Sequence, residues 1–238
     1  MKYDLHSHFL PGIDDGAEKP ADSVAILEYL ARCGIECVCA TPHYARRGES
    51  VRDFLQRRGE AVRRLDEYID SSGIDRAALP RTVIGAEVHL FRGLSEREDL
   101  SELCYSGTDR ILLELPFRKC EGWEVEEIYN IMYQHNVQPV MAHINRYRKF
   151  YSKKEFEDTF YTGDFFIQLN TECTLSHSDF SFFRKCVKDA ERVVFGCDIH
   201  DPGKLADCGL ERALKFFEKL PESRQKHLDH YERSVLRG

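Results

Sequence analysis

His6 and His8 sit one residue apart at the end of the short apolar run Met1 to Leu5. Alternate residues of a strand share a face, so both imidazoles leave the backbone on the same side. Two neutral imidazoles that close together can ligate one divalent metal. The loop Pro11-Gly12-Ile13-Asp14-Asp15-Gly16 follows at once, and Asp14 or Asp15 can return a carboxylate oxygen to the same place. A polar surface turn that happens to carry histidines would read the same way, so the remaining residues must decide.

The elements that would position these groups alternate regularly. Apolar spacing predicts a helix over 20–33, stopped at Gly34 where a left-handed cap belongs, and a second from Ser50 to about Ile69. Further helices are expected over 121–136, from the Ser152-Lys153-Lys154-Glu155 capping box to Gly163, over 178–190, 210–220 and about 222–236. Between them lie strands at 1–5, 35–41, 82–88, 110–116, 137–142, 165–170 and 192–197. Such alternation argues for βα units around a parallel sheet or barrel in one domain spanning 1–238, with terminal helices from about 204.

Six of these seven strand ends deliver a metal-competent side chain: His6 with His8, His43, Glu87, Glu114, His143, and Asp198 with His200. In a βα barrel the loops at the carboxyl ends of the strands meet on one face, so groups distant in sequence would converge there. Chance would place a few such residues at strand ends, but not at six of seven.

The wider composition sets bounds. The chain has 238 residues, 42% hydrophobic and 32% charged, with a formal net charge of −7, as expected of a globular protein that does not track nucleic acid. It has no apolar run of transmembrane length and no secretory-type leader, which gives the expectation of a cytoplasmic, not membrane-inserted protein. Nine cysteines without a C-x-x-C pair suit reduced core thiols better than a disulfide framework or zinc ribbon.

The set His6-Ser7-His8, Pro11 to Gly16, Thr41-Pro42-His43, Gly85-Ala86-Glu87, Leu113-Glu114-Leu115-Pro116, Ala142-His143 and Asp198-Ile199-His200 resembles the PHP (polymerase and histidinol phosphatase) superfamily. Within it the chain resembles, from residue 2 to about 202, the bacterial CpsB/YwqE-type metal-dependent protein-tyrosine phosphatases of capsular polysaccharide synthesis. The resemblance implies a distorted (β/α)7 barrel with a trinuclear metal centre at the C-terminal ends of the strands. One ion would be held by His6, His8, Glu87 and Asp198, a second by Glu87, Glu114 and His143, and a third by Asp15, His43 and His200. The family's A-H-P-E-R reads Ala142-His143-Ile144-Asn145-Arg146 here. The histidine and the phosphate-contacting arginine survive, while Pro-Glu is replaced. The family's S-D-A-H reads Cys197-Asp198-Ile199-His200, sparing both ligands.

The chemistry implied is phosphomonoester hydrolysis. A metal-bridging hydroxide would attack phosphotyrosine in line while Arg146 and the ions bind the phosphoryl oxygens. Four carboxylates (Asp15, Glu87, Glu114, Asp198) against three divalent ions and a hydroxide leave a net positive site for a phosphate dianion. Histidine and carboxylate donors suit Mn2+, Zn2+, Fe2+ or Mg2+ without choosing among them, and Mn2+ is the leading expectation. The expected partner is a tyrosine-phosphorylated protein, such as the tail of a bacterial tyrosine kinase regulating capsule or exopolysaccharide synthesis. A small-molecule phosphatase of the histidinol-phosphatase type is the alternative. Tyr44, Arg46 and Arg47, directly after a candidate ligand, are expected either to meet substrate or to form a solvated basic loop, and Tyr147, Phe150 and Tyr151 to flank a phenyl ring or pack the core. His89 is read as a rim or core histidine.

Overall fold

The computed structural model describes residues 1–44 and 48–237. Nine parallel strands alternate with seven helices among the described residues. The strands are β1 (Tyr3–Ser7), β2 (Cys37–Ala40), β3 (His43–Tyr44), β4 (Arg81–Ile84), β5 (Glu87–His89), β6 (Arg110–Glu114), β7 (Gln138–Met141), β8 (Phe166–Asn170) and β9 (Val193–Gly196). They form a three-stranded sheet in the order β1-β2-β4 and a six-stranded sheet in the order β3-β5-β6-β7-β8-β9. The helices are α1 (Pro20–Arg32), α2 (Val51–Ser71), α3 (Gly122–His135), α4 (Lys153–Phe160), α5 (His177–Asp189), α6 (Leu210–Phe217) and α7 (Glu222–Val235).

Helix boundaries follow their local chemistry. The Ser50 hydroxyl accepts from Asp53 N and opens α2, and Ser152 with Glu155 forms the capping box of α4. Gly34, at φ +81°, supplies the left-handed residue after α1. The cap of α5 is Ser176, whose oxygen accepts from Asp179 N, so this helix starts slightly earlier than apolar spacing suggests.

One expected strand is divided, and a short strand not expected from the sequence, β3, follows another. The run 82–88 does not form one strand: β4 pairs with β2, whereas β5 pairs with β3 and β6. The break falls at Gly85-Ala86. A Cβ on Gly85 would lie 2.9 Å from the Tyr105 ring, and Arg58 Nη1 donates to Gly85 O at 2.7 Å. Close approach of a ring and capture of a carbonyl by a side chain both favour leaving the ladder there. The expected strand 35–41 ends before Pro42, which has no N–H to donate, and the chain then forms the additional short strand β3. Backbone bonds bridge both breaks, from Gly85 N to Ala40 O and from Glu87 N to Pro42 O. The far edges also meet, through His8 N to Ile199 O and Asp198 N to His6 O.

One buried cluster draws on both sheets, with Leu5, Cys39, Val83, Leu112, Val140 and Val194 packed together. Val235 of α7 joins it, and α7 packs on β9 and β1. All nine cysteines are free and seven are buried, as apolar-run thiols should be. No helix among the described residues is long and apolar enough to cross a membrane.

Candidate metal centre

Strand alternation and register bring the expected side chains together. His6 and His8 project from the end of β1, with their Nε2 atoms 3.1 Å apart. His43 opens β3 directly beside Glu87 of β5, and Glu114 ends β6 opposite His89. His143 and Asp198 follow β7 and β9 in left-handed backbone, at φ 31° and 54°. Neither is glycine, so each turn holds strain of order 1–3 kcal/mol, and both side chains face the same cluster.

Glu87 lies at the centre. Its Oε2 is 3.1 Å from His6 Nε2, 3.3 Å from His8 Nε2 and 3.0 Å from His43 Nδ1, and its Oε1 is 2.8 Å from His143 Nε2. His143 Nε2 is 3.5 Å from Glu114 Oε1. Asp198 Oδ1 is 3.3 Å from Nε2 of both His6 and His8. Asp15 Oδ1 faces His43 and His200 at 3.4 and 3.5 Å. Donor atoms gather within 4.8 Å in three sets: His6, His8, Glu87 and Asp198; His8, Asp15, His43 and His200; and His43, Glu87 and Glu114. The first set coincides with the expected one. The second adds His8 to the expected Asp15, His43 and His200, and the third has His43 where His143 was expected.

The spacing fits shared cations. Metal–ligand bonds of about 2.0–2.2 Å put neighbouring ligand atoms roughly 3.0–3.5 Å apart, the range seen here. Glu87 Oε2 is buried among imidazoles without a hydrogen bond of good geometry. His8 Nδ1 pairs with Asp14 Oδ2 at 2.8 Å and His6 Nδ1 with Gln168 Oε1 at 3.2 Å, so each ring is held with its Nε2 toward the cluster.

Asp14 and Asp15 therefore divide the work of the glycine-flanked loop. Asp14 is buried against His8 and also accepts from His43 N at 3.0 Å, while Asp15 reaches the cluster from the solvent side. Gly16 permits this turn, since a Cβ there would lie 2.0 Å from His8 O.

Electrostatics follow from the crowding. Burial opposes charge on Glu87, yet His6, His143 and His43 outweigh it and hold the carboxyl well below its usual range. Asp198 is held down by His6, His8 and Arg146 in the same way. Against burial, His143 and His89 bring Glu114 to about 2. Burial also opposes charge on His143, but Glu114 and Glu87 raise it to about 9. Imidazoles that share carboxylates with one another hold protons that a divalent cation would displace.

Two amides that sequence reasoning did not single out organise this cluster. Gln168 Oε1 accepts from His143 N at 2.6 Å, and Gln168 Nε2 donates to Asn170 Oδ1 at 2.8 Å. Asn170 Nδ2 donates to Asp198 Oδ2 at 2.9 Å. The signal was their alternation in a strand whose every residue is buried. Phe117 was also missed. Half exposed, its ring lies 5.8 Å from that of His143 at 18° and 5.6 Å from that of Tyr147 at 13°.

Arg146, on the short helical turn after His143, places Nη2 2.7 Å from Asp198 Oδ2 and Nε 3.4 Å from Glu172 Oε1. It lines a cleft of about 740 Å³ with Phe117, Arg148 and Lys149. His89 Nδ1 lies 3.0 Å from Glu114 Oε2, so this partly exposed histidine is turned toward a candidate ligand.

Tyr44 does not face this cleft. It is fully buried, its ring edge-on to Phe54 and its hydroxyl donating to Glu49 O; alternation along β3 points it away from His43 and into the core. Arg46 and Arg47 lie outside the described residues. Tyr147 is likewise core, its hydroxyl donating to Leu115 O.

Parallel βα organisation with histidines and carboxylates converging beyond the strand ends defines an α/β protein with a candidate metal centre. The chain belongs to the family described as capsular polysaccharide synthesis, CpsB/CapC, which matches residues 2–226. It is 30% identical over 151 residues to the tyrosine-protein phosphatase YwqE of Bacillus subtilis, a match covering 61% of this chain and 55% of that protein. It is 23% identical over 251 residues to the tyrosine-protein phosphatase CpsB of Streptococcus agalactiae serotype III, covering 96% and 99%. In fold it is similar to a solved structure from work on YwqE of Bacillus subtilis and CpsB of Streptococcus pneumoniae, described as metal-dependent tyrosine phosphatases. The TM-score is 0.78 at 20% identity, over 98% of this chain and 94% of that one.

Proposed function

We propose that this chain is a metal-dependent protein-tyrosine phosphatase acting in capsular or exopolysaccharide synthesis. The observation that carries the reading is the convergence of nine side chains on one cluster beside Arg146, with ligand atoms at the separations a shared cation requires. The names of the relatives supply the substrate class.

In this reading the two sheets make one distorted (β/α)7 barrel in a single domain. β2 with β3, and β4 with β5, count as one position each, and β1 closes against the end of β9. His6, His8, Glu87 and Asp198 would hold one divalent ion; Glu87, Glu114 and His143 a second; Asp15, His43 and His200 a third, with manganese the leading candidate. Bound divalent ions supply Lewis-acid charge to the phosphoryl oxygens and lower the pKa of water toward neutrality.

The chain's own residues do the rest. Arg146 sits at the cleft wall, where its planar fork binds two phosphate oxygens on leaving Asp198, which Asn170 still holds. Asp14 and Gln168 fix the rings of His8 and His6. Phe117 offers one face to an aromatic leaving group whose phosphate lies at the cluster. The substrate is a tyrosine-phosphorylated protein, of which a bacterial tyrosine kinase tail is the leading case, and the site of action is the cytoplasm.

The test is a panel of phosphotyrosine peptide, phosphoserine peptide and histidinol phosphate, each with and without added MnCl2. Metal-dependent turnover selective for phosphotyrosine is expected. Turnover confined to the small phosphoester, or unaffected by chelation, overturns the reading.

A further inference from the structure

A second feature of the surface lies next to the cleft but uses none of its ligands. Helices α5 and α6 enclose a groove of about 580 Å³. Its apolar floor is Phe180 and Phe216, half-buried rings meeting edge to face at 5.5 Å. Arg184, Arg212, Lys215 and Lys219 line it, all exposed, and no carboxylate does. The guanidinium carbons of Arg184 and Arg212 lie 5.9 and 6.0 Å from the Phe180 ring centre. Arg212 and Lys215 are one helical turn apart on α6, so they share a face.

What sets these four cations apart is their clustering around one groove without a carboxylate partner; Arg52, Lys154 and Lys188 also lack one among the described residues but do not line it. Elsewhere on the surface Arg57, Arg63, Arg76, Arg118, Lys119 and Arg192 each contact a carboxylate. Among the described residues none of the groove's four cations does, in a chain whose net charge is −7. Four like charges around two aromatic rings repel one another and raise the local potential, which an anionic segment would relieve.

The groove adjoins the cleft. Leu175, Ser176 and Asp179 line the cleft, and Phe180 is the next residue of α5. Arg212 Nη1 donates to Leu175 O at 3.0 Å, joining the two rims.

We propose that the groove between α5 and α6 binds an acidic stretch of the phosphoprotein, rich in Asp or Glu and close in sequence to the phosphotyrosine. This rests on the reading of the metal site as a phosphotyrosine site. The cations would draw the acidic stretch in, and the rings would pack against its aliphatic parts.

The test uses the Mn2+-loaded enzyme and two phosphotyrosine peptides that differ only in carrying four Glu or four Gln beside the phosphotyrosine. For the wild type, KM is expected to be about tenfold lower for the Glu peptide at low salt, converging with the Gln peptide near 0.5 M NaCl. Arg184→Gln/Lys215→Gln/Lys219→Gln should abolish that difference and leave turnover of p-nitrophenyl phosphate unchanged. A wild type that treats both peptides alike, or a variant that keeps the preference, overturns the proposal. An arm without catalysis separates the two readings: anisotropy of a fluorescent, unphosphorylated Glu-rich peptide should show binding to wild type and a tenfold or greater loss in the variant. If no phosphotyrosine peptide is hydrolysed, the site reading fails while this arm still judges the groove. Binding of phosphatidylglycerol vesicles in place of the peptide would assign the surface to a membrane and overturn the proposal.

Discussion

Arg146 and Asp198 meet at 2.7 Å through Nη2 and Oδ2, while the other oxygen of the same carboxylate faces the imidazoles of His6 and His8 at 3.3 Å. One carboxylate thus looks two ways, toward the cluster and toward the cleft. Asn170 also holds Oδ2, at 2.9 Å, so Asp198 stays oriented when the guanidinium turns to a phosphate.

Arg146→Lys keeps the charge and loses the fork. Its kcat/KM toward phosphotyrosine peptide should fall about 10- to 100-fold, the loss expected for one or two charge-assisted bonds. Elemental analysis should find the same metal content as wild type. A parallel loss of metal would show that the arginine serves the ligand and not the phosphate.

Removing metal should cost stability as well as activity. Glu87, Glu114 and Asp198 share a small, largely buried volume with Asp15 at its solvent edge, and only cations or protons relieve their repulsion. Scanning calorimetry with and without a chelator should show a lower Tm in the chelated protein, because ligand binding to the folded state adds to stability. Equal Tm values would speak against a resident ion.

Phe117→Ala tests the aromatic face beside His143. Loss of an offset stack, about 0.5–1.5 kcal/mol, should raise KM for phosphotyrosine peptide about 2- to 10-fold. Hydrolysis of glycerol phosphate, which has no ring, should be unaffected. Equal effects on both would make Phe117 a packing residue.

Glu232, on α7 at the opposite end of the strands, is fully buried, with neither oxygen in a hydrogen bond of good geometry. Burial, outweighing the amino terminus and the Lys2 backbone, pushes its carboxyl up to about 8. The folded value therefore exceeds the unfolded one. Its contribution to stability is complete below about pH 4.5 and is lost as pH rises through about 8. Glu232→Gln should flatten this dependence, raising Tm by on the order of 5 °C at pH 8.5 and changing it little at pH 4. Parallel Tm-against-pH curves for the two proteins would refute it.

Much of the cluster was legible because ligands at parallel strand ends must converge, and a linear sequence displays strand ends plainly. Ser50, Ser152 and Gly34 announced their boundaries because caps act within a single turn. The break at Gly85 was not legible, since it depends on the Tyr105 ring and the Arg58 guanidinium arriving from distant segments. Nor could residue type alone separate Asp14 from Asp15. Tyr44 misled for a related reason: its proximity to His43 in sequence said nothing of which face β3 would turn to the core. Phe117, Gln168 and Asn170 carry no motif, and only their neighbours in space give them meaning.

The break in the third expected strand has a mechanical consequence. His6 belongs to the three-stranded sheet and His8 directly follows it, whereas Glu87 and Glu114 belong to the six-stranded one. Ions seated among them would act as rivets across the seam where the backbone changes partners, fastening two ribbons of chain at the spot their own ladders leave weakest.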